Sequence, residues 1–537
     1  MPENLPPASA TVRMYRGILG DCFLLTYDQD GVRTRILIDC GVLQGVAGGL
    51  DRIRRIAADV VAEVEGELDL LVLTHEHYDH LSGFAAARDL FFSERLNIKA
   101  LWLAWTERRG DKGLADDLRS RFKQARVALG LTARLAKRRA FKADESLQLA
   151  AGLTRFIGPV EGLAAAGVMT GAQVIEDFQR KVRPEAIAFL EPGQMAWVTP
   201  QPKVAEPGAP RPPGAGLRAY VLGPPRDEKK LRKDRPLESA GREVYLAKLD
   251  EAYAVASAAR AKLAQLGMSA AADDAESDAP DDADTSPFAL PHHCAIDDAR
   301  SLADALMADP ATAAEALYDP RVLYYHGPEG EKTFPEPEKR QIEDEWTAAA
   351  GALALKMDSD TNNTSLALAF ELPDRQILLF PGDAQVGNWL SWHDRTYPAD
   401  DPTVAPLSAN DLLRRVTLYK VGHHASHNAT LRELGLERMT DPRLVAMIPV
   451  VREVAKKQGR KGGKGWQMPF PSLFERLKEK TKGRVLMGDG VEAEERAAFA
   501  ANPTDPVSPA ALEYAPGPDP LWVQVTITSG ASGQAPS

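Results

Sequence analysis

Short apolar runs that stop at a glycine, a carboxylate or an imidazole recur towards both ends of the chain. Residues 11–15 alternate apolar and polar positions. Residues 22–27 and 34–39 read as further strands, set off by turn signals at Gly20-Asp21 and at 28–31. Ile53, Ile56 and Val60 lie at helical spacing and predict a helix over 51–65. The run Leu70-Leu71-Val72-Leu73 then predicts a buried strand. Strand character returns at 365–370, 376–380, 416–421, 444–451 and 483–487, with a closing strand at 521–527. Strands alternating with helices predict a layered α/β domain in two parts, 11–110 and 351–530.

Between these parts the pattern changes. Alanine, arginine and lysine dominate helical patterns from 111 to 151, and 201–216 is a Pro/Gly-rich linker. Residues 232–266 read as one long polar helix. Residues 268–287 form an acidic Ala/Asp tract without lysine or arginine, expected to be disordered. The region 111–350 is therefore expected to be a large, mainly helical insertion with no internal repeat, and residues 530–537 are expected to fray.

Composition narrows the classes. The 537 residues suit several domains or one large domain with insertions, and 44% hydrophobic with 26% charged residues is ordinary for a globular protein. A net charge of −11 argues against a surface that is basic throughout, but a local basic patch or bound cations would still permit a polyanionic substrate. Three cysteines, Cys22, Cys40 and Cys294, make no disulfide framework and point to a reducing compartment. The first eleven residues lack an export core, and no apolar stretch is long enough to span a bilayer. A cytoplasmic location is expected.

The densest chemistry is Thr74-His75-Glu76-His77-Tyr78-Asp79-His80, where three imidazoles and a carboxylate directly follow a strand. Crowded N and O donors of this kind suit zinc, manganese or iron. Two later strands end in the same style, one at Pro381-Gly382-Asp383 and one at Gly422-His423-His424. Ligands bind outside strand ends in open α/β sheets, so the three tips are expected to converge.

The order and spacing of these segments resemble the metallo-β-lactamase superfamily, and within it the hydrolase domain of ComEC-type DNA-uptake proteins and their soluble relatives. The likeness rests on 19–25, 36–41, His75 to Gly83, Asn362-Asn363-Thr364-Ser365-Leu366, 380–383, 420–426, 469–477, 483–485 and Gly488-Asp489-Gly490. It implies an αββα sandwich with one or two divalent ions, Zn first and Mn or Fe as alternatives, at one edge of the sheets. By motif, His75 and His77 would hold the first ion. Asp79 and His80 would hold the second with His423, which is favoured over His424 because it directly follows the strand-end glycine. Asp383 would bridge both ions, Asp39 would support the ligand loop, and Asp79 would also orient the attacking water. The superfamily often supplies another histidine to the first ion. Here Thr106 and Glu107 stand at that strand end, and Glu107 is a candidate substitute.

Several further residues are candidates for contact with metal or substrate: His424, His427 and the cluster His292-His293-Cys294. His326 reads as a packed or capping residue, and Ser426 as a turn residue rather than a nucleophile. The basic run Lys456, Lys457, Arg460, Lys461 and Lys464, followed by Trp466, offers a phosphate cradle with a stacking ring. The reading that follows is a metal-dependent hydrolase using hydroxide generated on the metal, acting on a phosphodiester, with nucleic acid as a candidate substrate. The alternatives are an ester, lactone or amide hydrolase of the same fold, or a metal-stabilised interaction protein with a relic site and a partner bound by the insertion.

Overall fold

The computed structural model describes residues 8–110, 113–136, 145–160, 168–199, 201–206, 216–233, 342–400, 403–458, 465–501 and 507–529. The chain divides into two compact units. Met1–Lys123, Gly152–Val244 and Leu355–Ser537 form one, and Gln124–Ala151 with Tyr245–Ala354 form the other. The described residues of the second unit are helical. All described strands and the candidate site belong to the first.

Two eight-stranded mixed sheets build that first unit. One runs in the order Leu512–Tyr514, Trp522–Ser529, Ala8–Tyr15, Cys22–Gln29, Val32–Cys40, Leu70–Leu73, Leu101–Ala104, Ile187–Leu190. The other runs Lys203–Val204, Met195–Trp197, Arg218–Gly223, Ala367–Glu371, Ile377–Phe380, Val416–Lys420, Val445–Ile448, Val485–Met487. Each sheet is antiparallel on one side and parallel on the other. Val32–Cys40 pairs in parallel with Leu70–Leu73, and Ile377–Phe380 with Val416–Lys420.

The period of two along the strands explains the layering. Ala10, Val12 and Met14, with Phe23, Leu25, Ile36, Ile38 and Val72, share one buried core with Leu368, Phe370, Leu378, Phe380, Leu418 and Met447 of the other sheet. Phe23 and Phe380 meet edge to face across it, with ring centres 5.8 Å apart. The alternate residues Leu24, Leu37, Leu71 and Leu73 face outward onto helices. There Ile53, Ile56 and Val60 of Gly49–Glu63, Leu81 and Phe84 of Tyr78–Ala86, and Val174 and Phe178 of Gly171–Lys181 cover them. Among the described residues no helix is long and apolar enough to cross a membrane.

The expected strands lie within a few residues of the observed ones, and the predicted helix 51–65 is Gly49–Glu63. The region 111–350 differs. Ile187–Leu190, Met195–Trp197, Lys203–Val204 and Arg218–Gly223 lie inside the expected helical insertion, yet they supply strands to both sheets. These strands are two to six residues long, too short for a periodicity to declare itself. The long polar helix beyond residue 233 and the acidic tract fall outside the described residues, as do His292, His293, Cys294 and His326.

Candidate metal centre

The parallel halves of both sheets deliver the donors from strand ends. Leu70–Leu73 runs into Thr74 and His75, and the helix Tyr78–Ala86 begins at once, so Asp79 and His80 occupy its first turn. Ile377–Phe380 runs into Asp383, and Val416–Lys420 into His423 and His424. Glycine is needed at two of the crossings. A Cβ on Gly41 would lie 2.3 Å from the Asp79 carbonyl group. Gly382 has φ +60, and a Cβ there would sit 2.9 Å from Cβ of Ser365. His423, His424 and Ala425 have φ of +46, +49 and +61, three successive left-handed residues that a β-carbon disfavours. That turn swings the His424 ring back towards Asp79.

One donor atom from each of Asp79, His80, Asp383 and His424 lies within 4.8 Å of all the others, and all four side chains are buried. Asp79 Oδ2 is 2.9 Å from His424 Nε2, and His80 Nε2 is 3.3 Å from Asp383 Oδ2. The far sides of the rings settle their tautomers. Nδ1 of His424 donates to the Pro449 carbonyl at 2.8 Å, and Nδ1 of His80 faces Asp39 Oδ2 at 2.7 Å. Both rings therefore turn Nε2 inward, the atom that would bind a cation once it gives up its proton. Asp39, itself at φ +55, also accepts from the Thr74 backbone N–H at 2.9 Å and the Thr74 hydroxyl at 2.6 Å. Since that hydroxyl gives its proton to Asp39, it accepts from Nδ1 of His75 at 3.0 Å.

His75 and His77 form a second pair beside this group, their ring centres 4.9 Å apart, and His75 lies 4.2 Å from His80. The Nε2 atoms of His75, His77 and His80 and Oδ1 of Asp79 are buried without a hydrogen bond. Orphaned lone pairs of this kind are costly unless an ion meets them, so the residues present fit a divalent cation. Asp21 and Asp39 also flank His80. The charge of Asp21 is already engaged, because Lys420 Nζ pairs with it; the same ammonium reaches Asp383 Oδ1 at 3.2 Å and donates to the Gly382 carbonyl at 2.8 Å.

Burial and charge divide the titratable groups. Burial pushes His75 well below the ordinary histidine value, with His80 and His77 adding to it, and burial takes His77 and His423 down to about 4. Burial opposes protonation of His80 too, but Asp383, Asp21, Asp39 and Asp79 outweigh it and raise the ring well above 6.5. His424 is raised, against burial, by its bond to Asp79 and by Asp383. Burial acts to raise Asp383, but His80 and Lys420 hold it well below the usual carboxylate range. His80 and His424 likewise hold Asp79 low. Burial lifts Asp21 despite Lys420. Asp358, which no motif pointed to, is pushed up to about 8 by burial and then by Asp79 and Asp383.

Of the two late histidines, His424 rather than the favoured His423 enters the donor group. His423 is held elsewhere: its Nδ1 meets Ser426 Oγ at 2.6 Å and its Nε2 lies 3.4 Å from Asn362 Nδ2. The left-handed turn is the reason, since it reverses which of two adjacent side chains faces inward. Its backbone N–H nonetheless donates to Asp383 Oδ1 at 2.8 Å, so His423 steadies the site through the main chain. Glu107 is buried against Arg119 and Arg109 and belongs to neither donor group among the described residues. His427 is exposed, its ring edge-on to Phe470. Lys456 is exposed and pairs with Glu453 at 2.8 Å, and Lys457 is exposed; Arg460, Lys461 and Lys464 lie outside the described residues.

Phe156 roofs the donors. Its ring lies 6.2 Å from His77 and stacks at 6.4 Å on His424, and Trp466 stacks on its outer face at 4.9 Å. With Phe156 only 3% exposed, little water reaches the centre from that side. An open cavity of about 870 Å³ walled by Val42, Tyr78, Ser82, Met169 and Arg180 contains none of the donor side chains. Comparison of the chain with protein-family models and with curated proteins finds no match.

Proposed function

We propose that this chain is a metal-dependent hydrolase with the αββα sandwich of the metallo-β-lactamase superfamily, acting on phosphodiesters. The observation that carries the reading is the meeting of Asp79, His80, Asp383 and His424, four buried donors from three separate strand ends and both sheets. The resemblance of the motifs supports the superfamily and the substrate class. The basic run from Lys456 to Lys464 adds a place for phosphate oxygens.

In this reading Asp79, His80, Asp383 and His424 would hold one ion, and His75 and His77 would begin a second position. A divalent ion held there would supply Lewis acidity, which can lower the pKa of a bound water from about 15.7 towards roughly 7. The chain does the rest. Asp39 and the Pro449 carbonyl orient the His80 and His424 rings, and Lys420 neutralises the carboxylates that crowd the floor. Phe156 and Trp466 exclude bulk water, which strengthens every charge interaction beneath them.

The test is hydrolysis of bis(p-nitrophenyl) phosphate and single-stranded DNA by protein loaded with Zn²⁺ or Mn²⁺, beside p-nitrophenyl acetate and a lactone. Cleavage of the phosphodiesters is expected to fall at least about 100-fold in Asp79→Asn and His424→Ala, the size of effect that follows loss of a metal ligand or its support. Cleavage confined to the acyl substrates overturns the substrate assignment, and a folded, metal-loaded protein inert towards all of them overturns the enzyme.

A further inference from the structure

The donors are sealed from solvent. Asp79, His80 and His424 are 0% exposed and Asp383 is 1% exposed, and His75 and His77 beside them are buried as well. A hydrated cation or a diester is larger than the gaps in a packed interior, so something has to move aside before either reaches these atoms. On the side roofed by Phe156, that ring stands between the donors and the surface. It lies in the last turn of the helix Glu145–Ile157. Its centre is 6.2 Å from that of His77 and 6.4 Å from that of His424, so it fronts both the histidine pair and the four-donor group.

The way this roof is held decides which part of it can open. Phe156 is backed by Trp466, a half-buried ring that stacks on it at 4.9 Å and 21°. The backbone on each side of the stack is pinned. Gly158, at φ +79, passes so close to Tyr78 that a Cβ there would lie 2.4 Å from Cγ of that ring. The Trp466 backbone N–H donates to the Ala455 carbonyl at 3.1 Å, and Arg155 Nη1 donates to Oε1 of the buried Gln458. The rings themselves attract through stacking and dispersion, a modest and undirected interaction. Turning the Phe156 side chain about its own bonds therefore breaks no backbone hydrogen bond, whereas moving either chain segment does.

We infer that Phe156, backed by Trp466, is the gate of this centre and sets which substrates enter: its ring turns aside to admit them and favours diesters with slender ester groups. This rests on the proposed metal-dependent reading and deepens it by naming what controls access. Phe156 lies outside the segments that resemble the superfamily, so the region 111–350 contributes selectivity to a site whose donors come from elsewhere in the chain. A gate has a kinetic signature. It slows entry and exit by the same factor and leaves the equilibrium constant alone, whereas a residue that braces the ligands changes the equilibrium constant.

The experiment follows Zn²⁺ on the full-length chain. Extraction by excess chromophoric chelator gives the exit rate, stopped-flow reloading of the stripped protein gives the entry rate, and competition at equilibrium gives Kd. In Phe156→Ala both rates are expected to rise about 10-fold, the scale of an aromatic pair's attraction, with Kd unchanged. Trp466→Ala, which removes the backing ring, is expected to shift both rates the same way. Phe156→Leu keeps apolar bulk without the flat ring, so it guards against a misfolded alanine variant, and circular dichroism checks all three. The ratio of kcat/KM for bis(p-nitrophenyl) phosphate to that for methyl p-nitrophenyl phosphate is expected to rise in Phe156→Ala, because the wider diester gains more from the space. Rates that match wild type in all three folded variants overturn the gate and leave the metal centre standing. A weaker Kd with only the exit rate raised shows that Phe156 braces the ligands, which also overturns the gate. An unchanged ratio overturns the selectivity. The Zn²⁺ rates need no hydrolysis, so the gate and the proposed substrate fail separately, and a folded wild type that binds no Zn²⁺ overturns the metal reading and the gate together.

Discussion

Asp39 spends one carboxylate on three partners: the Thr74 amide, the Thr74 hydroxyl and Nδ1 of His80. Two of those bonds fix the start of the histidine loop, and the third orients a ring that points Nε2 inward. Replacing Asp39 by Asn keeps an acceptor for Thr74 but removes the negative charge behind His80. Zn²⁺ affinity, read by competition with a chromophoric chelator, is expected to fall about 10- to 100-fold in Asp39→Asn. An unchanged affinity in a folded variant would mean that Asp39 serves the loop alone. The same scale shows where sequence reading stopped. Residue types and order marked His75, His77, Asp79, His80 and Asp383, because chemistry of that density has few structural uses. The choice between His423 and His424 depended on three left-handed φ angles, which adjacent identical residues cannot reveal.

At the level of elements, the strands Arg218–Gly223 and Ala367–Glu371 pair with Arg218 opposite Glu371. Glu371 is also 2.5 Å from Arg415 and accepts from the Tyr220 hydroxyl at 3.2 Å. Burial would raise Glu371, but Arg218, Arg415 and Arg375 hold its carboxyl below the ordinary value of 4.5. A depressed folded pKa contributes stability that is complete above the unfolded value and is lost as pH falls through the folded one. Glu371→Gln leaves Arg218 without its buried partner and is expected to cost about 3–5 kcal/mol at pH 7. That gap from wild type should narrow as pH drops below about 4.5, read from urea midpoints across pH. A gap independent of pH down to 3 would show that packing, not charge, accounts for the loss. This ladder was hidden from sequence reading, since Arg218–Gly223 lay in a region whose composition spoke of helices. Val416–Lys420, by contrast, was legible because an apolar run ended at a glycine and two histidines.

Across the whole molecule, the buried carboxylates of Asp79 and Asp383 lie together, with the nearly buried Asp358 close by. An ion bound only by the folded chain stabilises it by RT ln(1 + [L]/Kd), about 2.7 kcal/mol at a hundredfold excess over Kd. Chelation should therefore lower the first unfolding transition, and Zn²⁺ in excess should restore it, as followed by scanning calorimetry. Identical scans with and without chelator would argue that Lys420, His80 and His424 alone neutralise the carboxylates. Cys22 and Cys40 lie opposite each other in neighbouring strands, buried and unbridged, in keeping with a structure whose cohesion comes from the core between two sheets.

What the sequence determined by itself was local: alternation along the outer strands, the helix behind Ile53, Ile56 and Val60, and the ligand types waiting at three strand ends. Each depends on neighbours a few residues apart, so the order of residues contains it. The tertiary structure alone decided which strand ends meet, that four short strands between Ile187 and Gly223 complete both sheets, that His424 turns inward and that Asp358 comes within 4.0 Å of His77. Those outcomes come from contacts between residues hundreds of positions apart and from backbone angles imposed by close packing, neither of which leaves a periodic trace in the chain.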